Sequence, residues 1–419
     1  MPDTPMTHRN GYRTDGTSAV EFVAVQADPR TAEGSHIDPA LANRLMIDVI
    51  HDGDWIPDEF LVDSDGEPIP DEAFIGEHWD ERDWGACMVA EGLCRKLGIP
   101  GYHRINIARV IMDFGRFPGL TRQDAGHLDR FALNYPFSEM LGFRQQRAVL
   151  ERYYDEISAH FESAVSTSIT KIAIHTYDLR NDSGTVRPEI SVLTRSTSYQ
   201  HESEMPFGVF DPMYPDVLAE YTADRVLRDR ISLTFEKAGY TVAHNYPYTL
   251  PDGSIEVRAQ VWSFFVFLRR RFIEEFPDCQ GAPGFEMVWR MLLDTNLRSA
   301  ESEALRSYLF MFRRVSAEAD IAFSAARTAY ERVFNFLRAT YDDLVTEFRL
   351  SAERMSTLGI EVRKDLVYDF DNERIPTNPN PEGADAAATV LARAIHTYFA
   401  EDRPTKVPPR EFHFHGHDP

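Results

Sequence analysis

Apolar segments typical of strands alternate with amphipathic segments typical of helices between residues 41 and 297. The predicted strands are Leu45–Ile50, Arg104–Phe114, Thr170–Asp178, Arg187–Arg195, an extended segment at Tyr240–Tyr248 and a last strand within Phe285–Leu297. The predicted helices are Asp83–Gly98, Ser138–Ser166 and Ala223–Gly239. Because strands that alternate with helices usually pair in parallel, this pattern predicts an α/β fold, in which helices cover both faces of a mostly parallel or mixed central sheet.

The regions outside this alternating pattern differ from it in composition. Residues 1–40 are polar and rich in Pro, Thr and Asp, which predicts a flexible arm before a domain at 41–298. Residues 299–357 contain no Pro or Gly and have helical spacing throughout. They are predicted to form long helices that either pack on the domain or join copies of the chain in a homo-oligomer. Residues 358–419 are predicted to form one helix, at about 383–400, and an extended tail.

The charge of the chain and its apolar runs exclude several classes of partner. Its 44 basic and 67 acidic residues give a formal net charge of −23, which argues against nucleic acid as a partner. The longest apolar run, Val261–Leu268, is too short for a membrane span, and the first residues lack a hydrophobic signal region. Cys87, Cys94 and Cys279 form no disulfide framework. We therefore expect a cytoplasmic protein with no membrane partner.

Two histidines lie where predicted apolar strands end. His51 follows the first strand in the stretch "MIDVIHDGDWIP", and His175 lies near the end of the strand "TKIAIHTYD". Ligands of parallel sheets bind beyond the carboxyl ends of the strands, and imidazole together with carboxylate suits zinc. The third ligand is expected to be an acid from "EHWDERDWGA". The candidates there are Glu77, Asp80, Glu81 and Asp83. Taken singly, each histidine has a structural alternative and each acid a capping alternative, but the set favours a metal.

The chain ends in a second group of histidines. His413, His415 and His417 occupy alternate positions in "HFHGHDP". This spacing can bind a transition metal. A solvated, unstructured end is the favoured interpretation.

The segment "ARVIMDFGR" carries charged residues within an apolar stretch. On a strand, Arg109 and Asp113 would share one face, where charges are costly to bury unless they are paired or serve a site. Arg116 follows the strand and is placed to bind a substrate carboxylate through its planar guanidinium group. The alternative is a structural pair of Arg109 and Asp113 beside a solvated Arg116.

These motifs, in this order, resemble the N-formylglutamate amidohydrolase family. Its members carry a His-Ser-Gly-x-x-Ile-Pro turn, an Asp-led helix, an Arg-x-x-x-Asp-x-Asn-Arg segment and an Asp-x-His-Ser strand end. The corresponding stretches are "HDGDWIP", the helix from Asp83, "ARVIMDFGR" and "IAIHTYD", followed by "RPEISVLTR". The likeness runs from about Leu45 to Leu297. Asp52 stands at the serine of the turn, Gly115 at the asparagine and Thr176 at the serine of the strand end.

The resemblance implies a zinc-dependent amidohydrolase with a carboxypeptidase A-like fold and one zinc ion per chain. It places His51 and His175 as zinc ligands and Asp83 as the acidic ligand, with Asp80 and Glu81 as alternatives. Arg109 and Arg116 match the arginines that would hold a substrate carboxylate. The general base would be an acid late in the domain. The candidates are Asp294, Glu286 and Glu256, and Tyr248 would close over the substrate.

The sequence thus predicts a metal-dependent hydrolase that cleaves an amide (C–N) bond of a small carboxylate-bearing substrate. One alternative is a metalloenzyme of the same fold that binds iron or manganese and carries out non-hydrolytic chemistry. Another is a catalytically inactive binding or assembly protein, in which the helices of 299–357 are the functional part.

Overall fold

The computed structural model describes residues 11–27, 36–120, 131–181, 183–196, 210–312, 314–351 and 353–402. His413, His415 and His417 lie outside the described residues, as do residues 1–10 of the predicted arm. The strands of the described residues are β1 (Val20–Ala24), β2 (Leu45–Val49), β3 (Gly101–Ile105), β4 (Phe117–Leu120), β5 (Phe131–Leu133), β6 (Thr170–Tyr177), β7 (Ile190–Leu193), β8 (Val242–His244), β9 (Ser356–Arg363), β10 (Tyr368–Phe370) and β11 (Pro376–Pro379).

Helices account for most of the remaining regular structure. The α-helices are α1 (Pro39–Ala42), α2 (Ile75–Glu81), α3 (Ala86–Leu97), α4 (Phe137–Met140), α5 (Phe143–Ala148), α6 (Asp155–Thr167), α7 (Asp216–Ala219), α8 (Arg225–Lys237), α9 (Ile255–Glu275), α10 (Pro283–Leu293), α11 (Ala300–Phe310), α12 (Ala317–Leu350) and α13 (Pro381–Thr397). A π-helical stretch, Val149–Tyr154, joins α5 to α6, and a second one, Tyr398–Asp402, follows α13. Within the described ranges, no helix has the length and apolar character needed to cross a bilayer.

Seven strands form one central sheet in the order β1-β3-β2-β6-β9-β7-β8. The pairs β3–β2, β2–β6, β6–β9 and β7–β8 are parallel, whereas β1–β3 and β9–β7 are antiparallel. Helices surround this sheet, and a helical region lies towards the C-terminus. The predicted α/β fold with a mostly parallel or mixed sheet is therefore confirmed.

The two faces of the sheet are buried by different helices. Along β2, Ile47 and Val49 belong to the core that includes residues of α3, α8 and α13. Met46 and Ile50 point to the opposite face and belong to the core that includes residues of α6. This alternation follows from the two-residue period of a strand. A strand buried on both faces is mostly apolar, and Asp48 is the one charged residue of the stretch "LMIDVI".

The long helices of 299–357 pack on the rest of the chain. Phe348 of α12 contacts Phe264 of α9 at 5.5 Å between ring centroids. Trp289 of α10 belongs to the same apolar cluster. Of the two arrangements expected for this region, packing on the domain is therefore present, and a homo-oligomer stays a prediction.

Two predicted strands are wrong, although their residues are buried as expected. The segment 104–114 leaves the sheet after Ile105 and turns, with Ile111 and Met112 donating to the carbonyl of Ala108. The segment Phe285–Leu297 is mostly the helix α10, which begins at Pro283 and buries Val288, Trp289 and Leu292 on one face. Both errors have the same cause, since an apolar run indicates burial but does not by itself distinguish a strand from a buried helix or turn.

Two strands of the central sheet, β1 and β9, occur where the sequence predicted none. β1 lies within the segment expected to be a flexible arm, and it pairs with β3 at the edge of the sheet. β9 spans the boundary expected between the helical extension and the C-terminal tail, and it lies between β6 and β7. β9 comes after α12 with only a few residues between them. No Pro or Gly before Ser356 marks the end of the helix, so the sequence pattern did not predict this strand.

The turn after β2 explains one glycine of the stretch "HDGDWIP". Trp55 donates to the carbonyl of Asn106 at 2.8 Å, and Ala108 donates to the carbonyl of Trp55 at 2.9 Å. These bonds hold the turn close to the segment that follows β3. As a result, a Cβ atom on Gly53 would lie 2.4 Å from the carbonyl oxygen of Ile107. The contact is with backbone atoms, so no side chain can move away to relieve it. Only glycine fits at this position.

We therefore expect Gly53→Ala to lower the free energy of unfolding by about 1–3 kcal/mol, since the backbone must shift to admit the methyl group. Gly76→Ala is the matched control, because a Cβ atom at Gly76 in α2 meets no atom within 4 Å. That substitution should be neutral or stabilising by up to about 1 kcal/mol. Urea unfolding of the two variants and the wild type measures the difference. Equal stabilities for the two variants would contradict the argument.

Candidate metal centre

Three elements meet at the carboxyl ends of β2 and β6. His51 follows β2 by two residues, and His175 lies in β6, which pairs with β2 in parallel. Asp83 lies just before α3, and its backbone N–H donates to the carbonyl of His51 at 3.0 Å. Because parallel neighbours end at the same edge of the sheet, the two histidines are brought together although they are far apart in sequence.

The side chains of His51, Asp83 and His175 converge on one buried point. The Nδ1 atom of His175 lies 2.9 Å from Oδ2 of Asp83, and the Nδ1 atom of His51 lies 3.5 Å from the same oxygen. The two imidazole centroids are 4.9 Å apart. One ligand atom from each residue lies within 4.8 Å of the other two, and within the described part of the chain this is the one group of three such residues able to hold a metal ion.

Asp113 fixes the orientation of His51. Its Oδ1 atom lies 2.8 Å from Nε2 of His51, on the side of the ring away from Asp83. A proton on Nε2 satisfies this contact and leaves the lone pair of Nδ1 directed at the other two ligands. A carboxylate behind a ligating histidine is the usual outer-shell arrangement of protein metal sites, because it selects the tautomer and increases the basicity of the ligand. This contact shows that the residues present fit a metal ion.

Two arginines hold Asp113 in its ionised form. Arg109 Nη2 lies 3.1 Å and Arg116 Nε 3.2 Å from its Oδ2 atom, and the N–H of Gly115 donates to Oδ1. Burial alone would raise the pKa of Asp113, but His51 and both arginines outweigh it and hold the pKa well below its ordinary value. The structural pair of Arg109 and Asp113 considered from the sequence is thus present.

Both arginines have further partners beside the site. Arg109 also lies 3.1 Å from a carboxylate oxygen of Glu81 and 3.6 Å from one of Asp83. Arg116 is not solvated, since only 11% of its side chain is exposed, and it donates to Oδ1 of Asn134 at 2.8 Å. A substrate carboxylate at either arginine would have to share it with acids of the protein.

The acids considered as the third ligand take different positions. Asp83 lies between the two histidines, whereas Glu81 pairs with Arg109 and Asp80 lines a groove. Burial would raise the pKa of Asp83, but hydrogen bonds to His175 and His51 reverse this and hold the pKa well below its ordinary value. Of these acids, Asp83 has the geometry of a ligand.

The negative charge of Asp52 is balanced by a neighbouring arginine. This residue stands at the position where the N-formylglutamate amidohydrolase motif has serine. Its carboxylate accepts from Nε of Arg82 at 2.8 Å and from the backbone N–H of Cys87 at 3.1 Å. These bonds tie the turn after β2 to the start of α3. The additional negative charge is therefore balanced by an arginine of the protein and does not need the metal.

Glu361 is a site residue that the sequence reasoning missed. It lies on β9 directly opposite His175 in the parallel register, and it is only 7% exposed. Burial is the main cause that raises its pKa, and the charge of Asp83 adds to this against the opposing effect of His175. A buried carboxyl group with a raised pKa beside ligating residues is suited to accept and donate a proton. A glutamate inside the alternating stretch "STLGIEVR" was the available signal.

Each of the three sequence-predicted candidates for the base is paired with a basic side chain. Asp294 follows the helix α10 as its C-cap residue, because the segment predicted as a late strand is a helix. Its carboxylate lies 3.3 Å from Arg306. Glu286, on α10, pairs with Arg269 of α9 at 2.8 Å. Glu256, in the first turn of α9, is bonded to Lys171 in a buried pair.

The buried groups around the cluster include more acidic than basic side chains. Five carboxyl groups face three basic side chains, so two formal negative charges would be left in a state in which every carboxyl group is ionised and both histidines are neutral metal ligands. The carboxylates are Asp48, Asp83, Asp113, Glu256 and Glu361, and the basic residues are Lys171, Arg109 and Arg116. A buried excess of charge is costly unless it is compensated. A divalent cation at the cluster would balance it.

His175 provides a pH-dependent signal of the metal-free site. Burial would lower its pKa, but the hydrogen bond to Asp83 and the charge of that carboxylate raise the pKa from 6.5 to about 9. A histidine whose pKa is raised by folding stabilises the protein in its protonated form. This contribution is complete below about pH 6.5 and is lost as the pH rises through about 9.

We therefore expect the metal-free protein to lose on the order of 2–3 kcal/mol of unfolding free energy between pH 6.5 and pH 9. His175→Gln removes the titrating group, so its stability should change much less over this range. Thermal or urea unfolding in the presence of a chelator measures both proteins. The same pH dependence in wild type and variant would show that another group is responsible.

The contact between Asp113 and His51 predicts a second outcome. Asp113→Asn keeps the shape of the side chain but weakens the hold on the tautomer of His51, so metal affinity should fall about 10–100-fold. Asp155→Asn is the matched control, because Asp155 also pairs with an arginine, Arg298, at 2.7 Å but lies outside the cluster. Competition with a chromophoric chelator measures both affinities. An unchanged affinity in Asp113→Asn would contradict the role given to this carboxylate.

Comparisons with known proteins give weak likenesses. No family model matches the chain, and no curated protein matches its sequence. Among solved structures, an N-formylglutamate amidohydrolase from Ralstonia eutropha JMP134 aligns with a TM-score of 0.46 and 13% identity, over 92% of this chain and 99% of that one. A gene product of Agrobacterium tumefaciens aligns with a TM-score of 0.41 and 13% identity, over 90% and 95%. Likenesses of this strength do not assign a family or an activity to the chain.

Proposed function

We propose that this chain is a metal-dependent hydrolase, with zinc as the metal, that cleaves an amide (C–N) bond of a small carboxylate-bearing substrate. The observation that supports this most directly is the convergence of His51, Asp83 and His175 on one buried point. Two imidazole groups and one carboxylate are a ligand set of catalytic zinc sites, in which one coordination position stays open. When bound there, zinc would supply a Lewis acid that polarises a carbonyl group and lowers the pKa of water.

Glu361 is the general base and general acid of this proposal. Its carboxylate takes a proton from the attacking water as the new C–O bond forms. The same proton then passes to the nitrogen of the substrate as the C–N bond breaks, which releases a carboxylic acid and an amine. A pKa raised towards neutral pH suits a group that must first accept a proton and then donate it.

Asp113, Arg109 and Arg116 act on the ligands and not on the substrate in this proposal. Asp113 keeps the proton of His51 on Nε2, and the two arginines keep Asp113 ionised. The substrate-binding role predicted for the arginines from the sequence is untested. Their existing ion pairs favour a positioning role.

The substrate would enter through a groove of about 940 Å³ that includes Tyr248 and Asp80 in its walls. Tyr248 is exposed. The walls of the groove include Asp80 and Asp178, which lie three residues from Asp83 and His175 respectively, so the groove lies near the ligand cluster. The ring of Tyr248 is therefore available to close over a bound substrate.

The ligand set is tested by metal analysis of purified protein. We expect about one metal ion per chain in the wild type and its loss in both His51→Ala and His175→Ala. His160→Ala is the control, since His160 is a partly buried histidine that bonds to His103 away from the cluster. Full metal content in His51→Ala and His175→Ala would reject the proposed ligands. The same donor set suits Fe(II), so an absorption spectrum distinguishes colourless zinc from a redox-active metal.

The base is tested by Glu361→Gln, which keeps the shape of the side chain but cannot take the proton. We expect normal metal content and a loss of at least about 100-fold in kcat on any N-formyl, N-acetyl or N-succinyl amino acid that the wild type hydrolyses. Asp294→Asn, at the position favoured by the sequence, should retain its activity. The opposite result, with Asp294→Asn inactive and Glu361→Gln active, would overturn the assignment.

A further inference from the structure

Arg187 is a buried cation without a carboxylate partner among the described residues. It is only 8% exposed, and its Nε atom has no hydrogen-bond partner. Other buried arginines differ in this respect. Arg104 and Arg258 also have an unbonded Nε atom, but each lies within ion-pair distance of a carboxylate, of Asp54 and Glu162 respectively. An unpaired buried guanidinium group is costly, so it indicates a site that is completed by an anion.

Two tyrosines hold the guanidinium group in place. Its central carbon lies 5.5 Å from the ring centroid of Tyr177 and 5.1 Å from that of Tyr248. The hydroxyl of Tyr177 donates to the carbonyl of Pro188 at 2.6 Å, which fixes that ring against the segment before β7. The side chain of Tyr248 also forms a hydrogen bond with Arg187, and the guanidinium group has further N–H donors that can bind a ligand.

Arg187 lines the groove that borders the ligand cluster. β7, which begins three residues after Arg187, pairs with β9, the strand that carries Glu361. Arg187 also lies against the ring of Tyr177, which follows His175 by two residues on β6. A molecule held by Arg187 would therefore lie beside the proposed metal and base.

We propose that Arg187 is the anchor for the carboxylate of the substrate. This inference deepens the proposed function and rests on it for the reaction. The guanidinium group matches a carboxylate through two parallel N–H···O bonds. Arg109 and Arg116 are less suited to this role, because both are already bound to Asp113.

The groove also limits the size of the substrate. Its volume of about 940 Å³ lies at the upper end of the range of about 300–1,000 Å³ of small-molecule sites. Aromatic side chains of Trp79, Tyr368 and Phe370 form part of its walls. The substrate class is thus an N-acylated amino acid or short peptide with a free carboxylate and apolar groups beyond it.

The anchor is tested by carboxylate binding to the metal-loaded protein. Calorimetry with acetate, glutarate and N-acetylglycine should show binding of at least one of them to the wild type. In Arg187→Gln the dissociation constant of that ligand should rise at least tenfold. The dissociation constant for Arg187→Lys should lie between those of the wild type and Arg187→Gln. Arg180→Gln is the control for the loss of a positive charge at the groove, since Arg180 is exposed and its guanidinium donates to the carbonyl of Gly184. It should change the constant less than threefold, and the uncharged N-acetylglycinamide should not distinguish the proteins.

A thermal melt separates an anchor from a structural arginine. Because its charge has no partner among the described residues, Arg187→Gln should melt at or above the temperature of the wild type while it loses carboxylate binding. No carboxylate binding to the wild type, or equal binding to the wild type and Arg187→Gln, would overturn the inference.

The failure of this inference is distinguishable from failure of the proposed function. If the wild type hydrolyses no N-acyl amino acid but its carboxylate binding depends on Arg187, the function fails and the anchor stands. If hydrolysis occurs and Arg187→Gln has an unchanged KM, the function stands and the anchor fails.

Discussion

The parallel pairing of β2, β6 and β9 is the constraint on which the candidate site depends. Ile47 of β2 lies opposite Ile172 of β6, which in turn lies opposite Leu358 of β9. Their burial on both faces sets the register of the three strands, because a shift by one residue would reverse which side chains face each core. The same register brings His175 opposite Glu361 and beside His51. The apolar core and the proposed chemistry are therefore set by one set of backbone hydrogen bonds.

Several charged side chains are buried next to these paired strands. Lys171 lies 2.6 Å from Asp48 and is also bonded to Glu256, and all three side chains are almost fully buried. Burial raises the pKa of Asp48 to about 6, even though Lys171 opposes this. Replacing such a group with apolar residues is often neutral or stabilising in proteins, so stability alone does not account for it. A cation at the neighbouring ligand cluster would give these acids an electrostatic role.

The ligand cluster and Arg187 differ in the partners that they have. More acidic than basic side chains surround the cluster, whereas Arg187, in the groove wall, has no carboxylate partner among the described residues. A divalent cation at the first position and a substrate carboxylate at the second would complement both.

The sequence by itself determined the α/β fold, the strand ends that carry His51 and His175, and the small set of acids that included Asp83. These features are local, because they depend on the periodicity of apolar residues and on the residue types at the end of each apolar run. Only the tertiary structure decided which acid lies between the histidines, which carboxylate stands beside them and which arginine lacks a partner. Glu361 and Arg187 were not identified from the sequence, since a base or an anchor is defined by neighbours far away along the chain. The central position of β9, more than 180 residues after β6, depends on long-range strand pairing that no local pattern encodes.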